Sequence, residues 1–60
     1  MGEKLKEVRT EAKLTQAELA EKLGVTQRDI SRWETGKRVP SALMVKKMAQ
    51  VLDCRMDDLV

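Results

Sequence analysis

The sequence predicts a compact all-α domain built from five short helical segments within its 60 residues. Three observations point there. Trp33 is the one aromatic residue, and no run of β-branched residues alternates at period two, so strands have no support. Apolar residues recur instead three and four apart, the spacing of helices with one buried face. Threonines, a serine and glycines divide these runs at the positions where helices start and stop.

The first helix is expected from about Glu3 to Lys13, with Leu5, Val8 and Ala12 on its inward face. Thr15-Gln16-Ala17-Glu18 has the pattern of a capping box, in which hydroxyl and carboxylate each accept an amide hydrogen that the helix leaves free. A second helix follows over about 16–23, burying Leu19, Ala20 and Leu23, with Leu14 stapled against Leu19 and Gly24 as the stop. Only Gly24 and Val25 precede the next start, Thr26-Gln27-Arg28-Asp29, a weaker capping box. The third helix covers about 27–35, with Ile30 and Trp33 inward, and Gly36 closes it. After the basic loop Lys37-Arg38-Val39-Pro40, Ser41 caps a fourth helix whose inward stripe is Ala42, Val45, Met48, Ala49 and Leu52. A last turn, from about Met56 to Val60, lays Leu59 on the core. So short a link between the second and third helices forces a steep crossing, the geometry of a helix-turn-helix with its second member presented outward.

Composition removes several function classes. There is no histidine, and Cys54 is alone, so a zinc site lacks ligands and an internal disulfide has no partner. Neither an activated nucleophile nor room for a substrate pocket is visible, so no catalysis, cofactor or small-molecule site is expected. The start, Met1-Gly2-Glu3-Lys4-Leu5-Lys6, alternates charge where a signal peptide is apolar, and no run suits a membrane span. A cytoplasmic location is the expectation. The net charge of +2 is uninformative, but its distribution is not. Lys22 to Lys47 holds seven basic residues against Asp29 and Glu34, whereas the rest of the chain is net acidic. A basic centre suits a polyanion-facing surface, although a solvated charge mixture gives the same count.

The third helix sharpens this. Gln27, Arg28, Ser31 and Arg32 share the face opposite Ile30 and Trp33. Arginine can donate twice to guanine O6 and N7, glutamine can bridge adenine N6 and N7, and serine is adaptable. The start of the second helix, with Gln16 just inside it, offers free amides to a phosphate, and the Thr15 and Thr26 hydroxyls lie nearby. Lys37 and Arg38 follow the third helix, placed to hold a DNA backbone.

The stretch Leu14-Thr15-Gln16-Ala17-Glu18-Leu19-Ala20-Glu21-Lys22-Leu23-Gly24-Val25-Thr26-Gln27, then Ile30-Ser31-Arg32-Trp33-Glu34-Thr35-Gly36-Lys37 and Pro40, closely resembles the phage Cro/CI-type (XRE) helix-turn-helix family. The resemblance runs from Leu5 to Leu59 and implies a five-helix, lambda-repressor-like domain. It further implies sequence-specific binding of double-stranded DNA by a transcriptional regulator, with the third helix in the major groove. A homodimer on a palindromic operator, acting as a repressor, is the usual form. By the same resemblance Gln27, Arg28, Ser31 and Arg32 read bases, and Gln16, Thr26, Lys37 and Arg38, with Thr15 and Thr35, contact phosphates. It also pairs Arg9 with Glu34 in a partly buried salt bridge that supports the fold. Two positions depart from the pattern: Asp53 stands where a helix-ending glycine is usual, and Arg55 replaces a serine-like cap, which leaves the last turn weakly started.

Other side chains have plainer readings. Trp33 and Met48 read as core, Cys54 as a small buried apolar residue, and Lys46 and Lys47 as a solvated face. Leu43, Met44 and Val51 lie off the inward stripe of the fourth helix and, with Val60, form a possible dimer contact. The rival to DNA reading is an antitoxin-like module in which partner binding comes first.

Overall fold

Four α-helices and a closing 3-10 turn make up the computed structural model, which describes residues 1–60. They are α1 (Gly2–Glu11), α2 (Gln16–Leu23), α3 (Gln27–Glu34), α4 (Ala42–Leu52) and the turn Met56–Asp58. The expected fifth helix is thus a single turn, because Leu59 must already be in the core three residues after Met56. No helix is long and apolar enough to cross a membrane.

Local chemistry accounts for the helix starts. Thr15 Oγ1 accepts from the Glu18 amide at 3.0 Å, and Glu18 Oε1 accepts from the Thr15 amide at 2.9 Å. Thr26 and Asp29 repeat the exchange at 3.1 and 3.2 Å, so the shorter aspartate still closes the box. Ser41 Oγ accepts from the Met44 amide at 3.2 Å. The last turn is held from its far side: Asp58 Oδ2 accepts from the Arg55 amide at 3.0 Å, replacing the cap that Arg55 cannot provide.

All four helices end alike, with a residue in the left-handed region followed by one whose amide reaches back five positions. The left-handed residues are Lys13 (φ 61°), Gly24 (φ 74°), Gly36 (φ 78°) and Asp53 (φ 53°). The amides of Leu14, Val25, Lys37 and Cys54 then bond the carbonyls of Arg9, Ala20, Arg32 and Ala49 at 2.9–3.2 Å. Leu14, Val25 and Cys54 pack on the core as this motif favours. Lys37 does not; it is exposed. The exit from α3 is therefore the one turned toward solvent rather than inward.

Each α-helix sends at least one side chain wholly into the core, Leu5, Leu19, Leu23, Ile30 and Met48, and Leu59, just past the closing turn, joins them. Ala20, Val45, Ala49 and Leu52 complete it, with Val8, Leu14, Trp33, Met44 and Val51 among the side chains packed around it. Three expectations fail here. Lys13 lies beyond α1, which ends at Glu11, and Ala12 is exposed because helical spacing no longer applies past that end. Ala42 is exposed too: it is the first residue of α4, a turn before the helix meets the core. Met44 and Val51 are half-buried against the core, which leaves Leu43 and Val60 as the open members of the expected dimer patch.

Candidate nucleic-acid interface

The corner between α2 and α3 presents α3 to solvent along one side. Ile30 is fully buried and Trp33 half-buried, which turns Gln27 and Arg28 outward, both exposed. Ser31 and Arg32, one turn on, are half-buried. None of these cations is consumed in an ion pair, since the salt bridge in the chain joins Arg9 to Glu34. An acidic residue does border this face. Asp29 is half-buried, and its carboxyl is held below its ordinary range by the Thr26 amide and hydroxyl, with smaller contributions from Arg32 and Arg38. Both arginines therefore lie within electrostatic reach of it.

Hydroxyl direction separates the three threonines. A phosphate oxygen only accepts, so a hydroxyl must donate to it. Thr15 and Thr26 accept an amide hydrogen in their capping boxes, and the O–H of each lies beside the carboxylate that closes its box. Thr35 donates to the Ser31 carbonyl at 2.8 Å, and its hydrogen is already engaged. Lys37, Arg38 and Thr35 are all exposed at the far end of α3, and the amides of Lys37 and Arg38 both bond the Arg32 carbonyl, at 2.9 and 3.2 Å. Backbone geometry thus fixes where the two cations leave the helix.

Behind this face lies a buried polar cluster. Arg9 Nε and Nη2 donate to the two Glu34 oxygens at 2.6 and 3.2 Å, and Arg9 Nη1 donates to the Leu14 carbonyl at 2.8 Å. Gln16 Nε2 donates to Glu34 Oε1 at 3.0 Å. One carboxylate therefore joins α1, α2 and α3. The sequence reading missed this tie: Gln16 is half-buried, and its amide nitrogen faces the protein while its oxygen remains unassigned. It also missed Gly2, where a Cβ would stand 2.8 Å from the Trp33 carbonyl oxygen and collide with the Glu34 carbonyl. Lys47 is exposed, as expected of a solvated face, but its Nζ also donates to the Leu23 carbonyl at 2.8 Å. A capping requirement at the end of α2 was the available signal; its donor, 24 residues away, was not.

The largest cavity, about 490 Å³, lies elsewhere, lined by Val8, Glu11, Ala12, Leu52, Asp53, Cys54 and Asp58. Burial first, then Asp58 and Asp53, push the Cys54 thiol above its ordinary range, which suppresses the thiolate and with it nucleophilic reactivity.

A family description of the helix-turn-helix matches residues 5–59. This chain belongs to the Cro/CI (XRE) type of helix-turn-helix domain. Among curated proteins the domain is 40% identical over 59 residues to the transcriptional activator BcrR of Enterococcus faecalis, covering 98% of this chain and 29% of that protein. It is 43% identical over 60 residues to the transcriptional repressor RghR of Bacillus subtilis, covering 98% of this chain and 44% of that protein. This helix-turn-helix domain thus spans less than half the length of either. Among solved structures it resembles the P22 c2 repressor bound to a synthetic operator, with a TM-score of 0.90 and 30% identity, covering 98% of this chain and 89% of the other. The helix-turn-helix domain described here is accordingly a DNA-binding element of transcription regulation.

Proposed function

We propose that the domain reads operator DNA through the outward side of α3. The observation that carries this is the exposure of Gln27 and Arg28 at the first turn of α3, between the exposed Thr26 cap and an exit bearing Lys37 and Arg38. In the major groove Arg28 and Arg32 address guanine, Gln27 addresses adenine, and Ser31 takes either partner. Thr15, Thr26, Lys37 and Arg38, with the free amides of Gln16 and Ala17, hold the backbone and set register. Thr35 joins them only if its hydroxyl releases Ser31, and Gln16 acts through its backbone rather than its Nε2. Nothing in this arrangement calls for catalysis; the chemistry is recognition.

Two copies on a palindrome complete the reading. Recognition helices on successive major-groove turns stand roughly 34 Å apart. The Cα envelope measures 23 × 21 × 19 Å, so with side chains added two copies come close to touching at that spacing. Leu43, 80% exposed, and Val60, 56% exposed, offer apolar groups for that contact, and the half-buried Met44 and Val51 offer less. Where the operator overlaps a promoter, occupancy represses by occlusion. The test compares Arg28→Ala and Arg32→Ala with Lys37→Ala. The arginine variants are expected to lose preference for the selected site with helical circular dichroism intact. The lysine variant is expected to weaken all sequences and flatten the salt dependence. Arginine variants that discriminate as well as the parent refute the proposal.

A further inference from the structure

The orientation in which α3 meets a duplex is set by the corner that joins it to α2. At that corner the closing hydrogen bonds of α2 satisfy the carbonyls of Ala20 and Glu21, but not that of Leu23, its last residue. Lys47, from the middle of α4, supplies the missing donor: Nζ bonds the Leu23 carbonyl at 2.8 Å in a partly buried setting. The ammonium lies against the corner itself, 4.0 Å from where a Cβ on Gly24 would stand. A cation in this place also meets the negative end of α2, which is favourable. α3 takes its position mainly from α2 and α1, so α4 bears on the reading helix chiefly by holding α2 and its corner.

We infer that Lys47 is a positioning residue for DNA reading: it latches the corner of the helix-turn-helix through the Leu23 carbonyl and does not contact phosphate. The inference deepens the function proposed above and rests on it. It also removes one cation from the basic centre counted between Lys22 and Lys47. A phosphate contact and a latch leave different marks. Each phosphate-bound cation adds about 0.9 to the slope of log affinity against log salt and favours no sequence. A latch adds nothing to that slope, but its loss misaims side chains that must meet base edges.

The experiment titrates selected operator and random duplex with the parent, Lys47→Met, Lys47→Arg and Lys37→Ala, at a temperature where circular dichroism shows all four folded. Lys47→Met is expected to bind the operator about tenfold more weakly, the scale of one modest base contact. Its binding to random duplex and its salt slope are expected to match the parent. Lys47→Arg, which keeps charge and donors, holds both, while Lys37→Ala loses about 0.9 of slope per subunit on either duplex. If Lys47→Met loses that slope and weakens both duplexes alike, Lys47 is a phosphate contact and the inference fails. If Lys47→Met binds both as the parent does, the latch is merely structural and the inference fails again. A parent that prefers no duplex overturns the DNA-reading proposal instead. The latch is then judged by NMR without DNA, where unmoved Leu23 carbonyl and Gly24–Thr26 amide shifts in Lys47→Met overturn it.

Discussion

Truncating Glu34 to alanine is the most informative single perturbation of the fold. Its carboxylate receives three hydrogen bonds, from Arg9 at 2.6 and 3.2 Å and from Gln16 at 3.0 Å. The two charged side chains are only 9% and 4% exposed. Removing the anion leaves the Arg9 guanidinium buried with the Leu14 carbonyl as its remaining partner, at 2.8 Å. An orphaned buried charge of this kind costs roughly 3–5 kcal/mol. A 60-residue domain commands only about 3–9 kcal/mol in all. Alanine is a good helix former, so the change in α3 propensity does not confuse the result. A melt followed at 222 nm by circular dichroism is expected to shift down by about 12 °C or more. The double variant Arg9→Met, Glu34→Leu is expected to recover most of the loss, because an apolar pair strands no charge. A fall of less than about 4 °C in the single variant, or no recovery in the double, refutes the reasoning.

Three further outcomes follow from the same geometry. Asp53→Gly relieves a left-handed residue at φ 53° and removes a negative charge from the carbonyl end of α4; a gain of about 0.5–1 kcal/mol is expected in thermal melts. Gly2→Ala places a Cβ against the Glu34 and Trp33 carbonyls, so a loss of about 1–3 kcal/mol is expected by urea titration. The capping carboxylates of Glu18 and Asp29 are both held below their ordinary values, first by the backbone amide of their threonine and then by its hydroxyl. Their stabilisation is complete above the unfolded carboxyl range and disappears as pH falls through the lowered folded values. The melting temperature is therefore expected to drop on acidification below about pH 4, and less steeply in Glu18→Gln, which a pH series of melts checks.

Features written in adjacent residues were legible in the sequence. Both threonine capping boxes, the Gly24 and Gly36 stops and the Ser41 cap involve groups within three or four positions, and periodicity placed Leu5, Leu19, Leu23, Ile30 and Met48 inside. The left-handed Lys13 was not legible, because lysine carries no signal for that conformation and the apolar spacing ran on through Ala12. Of the candidate interface, the residues of α3 could be read from their face, and the Arg9–Glu34 pair came only through family resemblance. What the sequence concealed were tertiary obligations. Gln16 turns its amide nitrogen to Glu34, Lys47 reaches the end of α2, and Gly2 makes room for α3. Each joins segments far apart in the chain, where no local pattern records the contact. The half-burial of Met44 and Val51 has the same origin, since core depth depends on how α4 settles against its neighbours.

Selection of binding sites from random duplexes, run in parallel with the parent and with Gln27→Ala, tests the account at its centre. A palindromic consensus is predicted for the parent, with Gln27→Ala relaxing the preference at one base pair in each half-site and leaving the rest intact. A parent that enriches no consensus, or a variant whose consensus is unchanged at every position, contradicts the claim that the exposed side of α3 reads bases.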